Sequence, residues 1–186
     1  MTTVKVIGAG SIGNHLAHGC RSKGWDVTIV DLNPEALERT RETIYPSRYG
    51  AWDSEIALAA PGDVRGQSFD IVIVGTPPAT HLAIAAAELT NTPPQLLLIE
   101  KPLAHPNFKA ISEFAQLAKN SSTRVLVGYN QRHKPHTFKF LEVATETALG
   151  SLTGLRSQML ESWDGILNAH FWMASERDSY LAFTDQ

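Results

Sequence analysis

Val4-Lys5-Val6-Ile7-Gly8-Ala9-Gly10-Ser11-Ile12-Gly13 passes from a β-rich apolar run through a turn with three glycines into a helical pattern. The glycines differ in what they allow. Gly8 permits the tight turn, Gly10 lets a ligand reach the backbone, and Gly13 lets the helix pack closely on the sheet. The glycine spacing alone is a weak signal, but between a predicted strand and a predicted helix it becomes specific. Working outward, apolar runs recur at Val27 to Val30, Ile71 to Val74, Leu96 to Ile99 and Arg124 to Val127. Helical patterns fill the gaps. Ile12 to Lys23 ends at Gly24, and Pro34 to Thr43 starts behind the N-cap candidate Asn33. Ala79 to Leu89 follows Pro77, read as the first helical position after Thr76, and Asn107 to Ala118 carries another apolar stripe. Consecutive rather than alternating apolar residues mark strands covered on both faces. The predicted class is α/β, a Rossmann-type doubly wound parallel sheet.

Beyond Gly128 the pattern changes. Gln131-Arg132-His133-Lys134 leads into a predicted helix from His136 to Thr147, and Gly150 to Leu155 reads as a turn entering a strand over Leu152 to Leu160. The expected domains are a dinucleotide-binding domain over 1–130 and the incomplete start of an α+β open-sheet substrate domain over 131–186. About 36 residues follow Gly150, too few to close a separate large sheet, so the chain reads as interrupted.

Composition narrows the function. Across 186 residues, 43% apolar, 16 basic residues stand against 19 acidic ones for a formal net charge of −3. That balance gives no overall attraction to nucleic acid or to an anionic membrane. The apolar runs fall far short of the roughly 20 residues that span a bilayer. A single cysteine, Cys20, cannot close an intramolecular disulfide, and the N-terminus lacks signal-peptide regions, so a cytoplasmic location is expected. His15 with His18, and His133 with His136, have metal-compatible spacing but no carboxylate or cysteine to complete a set; no metal is expected.

The glycine loop would present the N–H groups and positive dipole end of a helix to a pyrophosphate through Gly8, Gly10, Ser11, Ile12 and Gly13. Asp31, at the end of the second strand, would accept hydrogen bonds from the adenosine ribose hydroxyls. This favours NAD. A 2′-phosphate about 4 Å from that carboxylate would be repelled by roughly 4 kcal/mol per unit charge at an effective dielectric of 20, so NADP requires a compensating cation such as Arg39 or Arg41. Ligands of open parallel sheets bind beyond the carboxyl ends of the strands. Three stretches fall there: Gly75-Thr76-Pro77-Pro78-Ala79-Thr80-His81, Glu100-Lys101-Pro102, and Gly128-Tyr129-Asn130-Gln131-Arg132.

With the glycine turn and Asp31, these motifs resemble the Gfo/Idh/MocA family of NAD(P)-dependent oxidoreductases, in order and over essentially the whole chain. The resemblance implies reversible oxidation of a hydroxyl on a sugar, cyclitol or similar polyol, with Lys101 near the nicotinamide and the reacting carbon. Thr76, Pro77, His81, Glu100 and Lys101 would then line the cofactor, and Lys101, Tyr129, Arg132, Trp163, His170 and Trp172 the substrate. The chemistry agrees, because moving a hydride from an alcohol carbon also requires a group that manages the hydroxyl proton. A lysine desolvated or near positive charge can do so. Pro102 pushes Lys101 toward an extended backbone, and a cis Lys-Pro bond is compatible with the triplet.

Other readings stay open. His81 can equally be a packed, hydrogen-bonded helix residue. Arg132, His133, Lys134, His136 and Lys139 form either an attractor for an acidic substrate or a solvated face. Glu161, Trp163, Asp164, His170 and Trp172 can stack on a sugar or simply pack. Family members continue well past the length of this chain, with an Asp-x-x-x-His segment and most of the oligomer surface. The expectation is therefore an N-terminal portion or truncated member, with homo-oligomers belonging to the full-length form. The alternative function is a non-catalytic dinucleotide sensor or regulator of the same fold.

Overall fold

The computed structural model describes residues 1–104, 108–146, 150–151, 153–156, 158, 160, 162–169 and 175. Two compact units result, Met1–Gly128 and Tyr129–Gln186. In the first, strands β1 (Thr3–Ile7), β2 (Asp26–Val30), β3 (Ile56–Ala59), β4 (Ile71–Val74), β5 (Leu96–Ile99) and β6 (Arg124–Val127) form one sheet in the order β3-β2-β1-β4-β5-β6. Every pairing is parallel. The strand order reverses between β1 and β4, which is the topological switch point of a doubly wound sheet.

Apolar residues cover both faces. Alternate residues of β4 face opposite ways, so Ile73 joins one core with Val4, Val6, Val27, Ile29 and Ala17, while Val72 and Val74 join another with Leu97, Ile99, Leu89 and Phe114. Burying a side chain such as Ile29 or Leu97, each 0% exposed, stabilises the fold by roughly 1.5–3 kcal/mol. One charge sits among them. Lys5 of β1 is buried, and its Nζ lies 2.8 and 2.7 Å from the two carboxylate oxygens of Glu88, with the Phe69 ring centroid 5.3 Å away.

The helices are α1 (Ser11–Arg21), α2 (Pro34–Arg39), α3 (Tyr45–Tyr49), α4 (Pro78–Asn91) and α5 (Phe108–Asn120). Gly24 closes the turn after α1 with φ +73, and Asn33 Oδ1 caps α2 by accepting from the Glu35 N–H at 2.9 Å. Three features depart most from expectation, beyond shifts of one to three residues at helix ends such as α1 and the helix expected over His136 to Thr147, found at Pro135–Ala144. The α2 region does not stop at Thr43: a π-helical turn, Thr40–Ile44, carries it into α3 and on to Gly50 at φ +89. Pro46 falls where its missing N–H would have bonded back along an α-helix, and the wider turn absorbs the mismatch. Pro77 is the N-cap of α4, with Pro78 the first helical residue, because Pro77 adopts ψ 146 rather than a helical value. The strand β3 was not expected, since Ile56-Ala57-Leu58-Ala59 is short and half alanine; pairing with β2 makes it an edge strand.

In the second unit, a 3₁₀ turn (Asn130–His133) precedes α6 (Pro135–Ala144), and α7 covers Trp163–Ala169. The strand expected over Leu152 to Leu160 is not found among the described residues of that stretch, none of which joins a ladder. A β-segment needs a paired neighbour to satisfy its backbone groups. Glu161, His170 and Trp172 lie outside the described residues.

Candidate cofactor site

The loop between β1 and α1 is fixed from several sides. Gly8 has φ +109, and a Cβ there would stand 2.9 Å from the Gly75 carbonyl oxygen. A Cβ on Gly13 would overlap the Gly8 carbonyl oxygen. These two glycines are demanded by the protein itself. Gly10 is not: its backbone is extended, φ −84 and ψ −171, and an added Cβ would meet no protein atom within 4 Å. Its bare backbone keeps an open surface clear at the N-terminus of α1, the geometry that a closely approaching pyrophosphate requires.

Hydrogen bonds hold the loop in that shape. Gly8 N–H donates to the Val30 carbonyl at 2.8 Å, and Ala9 N–H donates to Asp31 Oδ2 at 2.7 Å. The Ala9 carbonyl accepts from the Thr40 hydroxyl at 2.5 Å, and Asn14 Nδ2 donates to the Gly10 carbonyl at 2.9 Å and to Thr40 Oγ1 at 3.1 Å. Asn14 and Thr40 are both 0% exposed. Sequence reasoning missed them, because a helix Asn and a Thr in an unexpected π turn carry no motif of their own. Asp31 is held as well, since Oδ1 accepts the Asn33 N–H at 2.9 Å. With each carboxylate oxygen taking one backbone N–H, lone pairs remain to accept ribose hydroxyls. The residues fit a dinucleotide: an open backbone at Gly10, an uncapped helix end, and a fixed acceptor at Asp31.

The later strand ends are joined to one another. His81 is 1% exposed; its Nδ1 lies 2.9 Å from the Pro102 carbonyl oxygen and its Nε2 2.6 Å from that of Thr76. A neutral imidazole donates through one nitrogen only, so one of these contacts is the donated bond in any neutral tautomer. The structure thus makes His81 a packed tie between the turns after β4 and β5. Thr76 Oγ1 lies 2.8 Å from Thr80 Oγ1, and exposed Pro77 caps α4. The Lys101–Pro102 peptide is cis, and the Lys101 N–H donates to Glu100 Oε2 at 3.2 Å. A Cβ on Gly128 would stand 2.7 Å from Glu100 Oε1, so the glycine after β6 makes room for that carboxylate.

The remaining predicted residues belong to the second unit. Tyr129 is 59% exposed and its carbonyl accepts the Arg132 N–H at 3.2 Å; Arg132 is exposed, and Trp163 opens α7. Arg41 pairs with Glu42 at 2.6 Å, and Arg39 ends α2 on the surface. Among the described residues no group of three or more His, Cys, Asp or Glu is placed to hold a metal; His15 and His18 instead approach the Tyr49 and Tyr45 hydroxyls at 2.7 and 3.0 Å. A cavity of about 450 Å³ lined by Trp25, Asp70, Gln95 and Leu96 lies at the amino-terminal ends of the strands, away from every motif above.

Comparison with known proteins settles the family. Residues 2–129 match the Gfo/Idh/MocA model, described as an oxidoreductase family with an NAD-binding Rossmann fold. The chain belongs to this family. No curated protein matches it. Among solved structures, the apo scyllo-inositol dehydrogenase of Lactobacillus casei superposes with a TM-score of 0.63 at 17% identity, over 81% of this chain and 44% of that one. The WlbA dehydrogenase of Chromobacterium violaceum, solved with NADH and UDP-GlcNAcA, gives 0.62 at 20% identity over 80% and 41%. The UDP-N-acetylglucosamine 3-dehydrogenase GnnA of Acidithiobacillus ferrooxidans gives 0.62 at 19% over 77% and 42%. These likenesses share the fold, and the matched part spans about two fifths of each relative's length. Among the described residues no helix is long and apolar enough to cross a membrane.

Proposed function

We propose that this chain is the dinucleotide-binding part of an NAD-dependent oxidoreductase acting on a hydroxyl carbon of a sugar, cyclitol or similar polyol. The observation that carries it is the glycine turn at the head of α1, open at Gly10 with Asp31 held beside it, in a chain whose residues 2–129 match an NAD-binding oxidoreductase family. When bound, NAD supplies the hydride acceptor. The protein's own residues do the rest. The α1 N-terminus receives the pyrophosphate, Asp31 accepts from the adenosine ribose and disfavours a 2′-phosphate, and Lys101 Nζ manages the hydroxyl proton. Glu100 holds the Lys101 backbone N–H, and Tyr129, Arg132 and Trp163 belong to the substrate side. Residues up to 130 form the cofactor domain, and those from 131 begin a substrate domain that also carries the homo-oligomer surface; the protein works in the cytoplasm.

Turnover tests this. With NAD and a panel of inositols and nucleotide sugars, the full-length protein to which this part belongs should generate NADH. Lys101→Met should retain NADH binding and lose about 10²- to 10⁴-fold in rate, the usual worth of a positioned proton-transfer group. Normal cofactor binding with no turnover on any polyol, or an unchanged rate in Lys101→Met, would contradict the proposal.

A further inference from the structure

The buried stripe of α4 runs through His81, Ala85 and Leu89, the spacing of a core-facing helix row in which an apolar side chain would bury without further requirement. Histidine stands at its first position. It is 1% exposed, and a polar group buried so deeply costs stability unless it is hydrogen-bonded. Both ring nitrogens have partners: Nδ1 lies 2.9 Å from the Pro102 carbonyl oxygen, and Nε2 lies 2.6 Å from that of Thr76. Neither nitrogen is left for a ligand. The Pro102 carbonyl directly follows Lys101 in the chain, and on the other side the Lys101 N–H donates to Glu100 Oε2 at 3.2 Å. Lys101 itself is exposed, yet its backbone is held from both ends. A solvated surface lysine needs no such support, whereas a proton-transfer group does, because a misplacement of about 1 Å can cost roughly a hundredfold in rate.

We infer that His81 is a positioning residue, which sets the Lys101 backbone for proton transfer and meets neither cofactor nor substrate through its ring nitrogens. The inference rests on the reading of Lys101 as the proton-handling group. The bond to Thr76 has a part in it: β4 and β5 pair in parallel, so the Thr76 and Pro102 carbonyls lie beyond the ends of neighbouring strands, and one ring refers the Lys101 turn to the end of β4.

The test compares wild type, His81→Leu, His81→Gln, Lys101→Met and the double variant His81→Leu with Lys101→Met, in the full-length protein with NAD and the polyol it turns over. His81→Leu should lower kcat by roughly ten- to a hundredfold with NADH affinity nearly retained. His81→Gln keeps a donor and should recover part of that rate. In the Lys101→Met background the leucine should cost no further rate, because it acts through the group already removed, while urea unfolding should show the same stability loss in both backgrounds. In the ligand-free protein, NMR spectra of the ring nitrogens should show a His81 N–H in slow exchange with solvent. An equal fold-loss of rate in both backgrounds, the result of a merely structural role, would overturn the inference, as would an unchanged rate in His81→Leu or a ring N–H exchanging at the free rate. If His81→Leu does not fold, His81→Gln carries the same comparison. If no polyol is turned over, or Lys101→Met matches wild type, the proposed function falls and the inference falls with it; a slow Lys101→Met beside an indifferent His81→Leu removes the inference alone.

Discussion

The two halves of the sheet shape their loops by different means. In the β1–β3 half the glycine loop is shaped by exclusion: Gly8 and Gly13 occupy positions where any Cβ would strike a carbonyl, and Asp31, Asn14 and Thr40 pin the peptides between them. In the β4–β6 half the turns are shaped by attachment, His81 reaching two carbonyls and Glu100 accepting the Lys101 N–H. The first half should therefore fail by steric clash and the second by loss of a tie. Lys5 and Glu88 connect them, one on β1 and the other on α4.

That connection should be the most sensitive point. Glu88→Ala leaves the Lys5 ammonium, 7% exposed, without its partner. Removing one member of a buried pair costs about 3–5 kcal/mol, read as a lower midpoint in urea. Gly13→Ala should cost at least the roughly 1–3 kcal/mol of overpacking, since the obstructing atom is backbone, and should abolish NADH binding. His81→Leu keeps the bulk but leaves two carbonyls without the ring. A loss of about 1–3 kcal/mol is expected, with NADH affinity nearly retained because the glycine loop stays in place. Should His81→Leu impair NADH binding as badly as Gly13→Ala, the two halves would not differ as described.

The smallest effect is in acid. Hydrogen bonds from the Thr3 N–H and hydroxyl hold the Asp70 carboxyl below its ordinary value. Burial pushes Asp53 upward, but the Arg21 and Glu55 hydrogen bonds and the positive charge of Arg21 and His18 outweigh it and hold it low. Carboxyls lower in the folded state contribute stability that is present above their unfolded value near 3.9 and is lost as pH falls through the folded value. Acid unfolding should therefore begin below about pH 4, and Asp70→Asn should reduce the pH dependence there by lowering stability slightly at neutral pH, where the carboxylate's contribution is fully present, and leaving it nearly unchanged in acid.

What could be read in the sequence followed the strength of local rules. Consecutive apolar residues revealed five strands, and the Gly8-to-Gly13 spacing revealed the turn at the switch point, because both are local necessities. The edge strand Ile56–Ala59 escaped, since only its pairing with β2 makes it one. The continuation through Thr40–Ile44 escaped for a related reason: a π turn that accommodates Pro46 has no periodicity to announce it. Motifs singled out Asp31 and Lys101 as candidates, and the structure sets Asp31 against the glycine loop through the Ala9 N–H. Asn14 and Thr40, which hold the loop, were not singled out, because they act through contacts between residues 26 and 31 positions apart.

Gly10→Val isolates the central claim, that this loop is kept open for a dinucleotide. Its backbone angles suit valine and no protein atom lies within 4 Å of the new Cβ, so the variant should fold as wild type. Calorimetric titration with NADH should give micromolar binding to wild type and none to Gly10→Val at unchanged thermal stability. Equal NADH affinity in the two proteins would contradict the account.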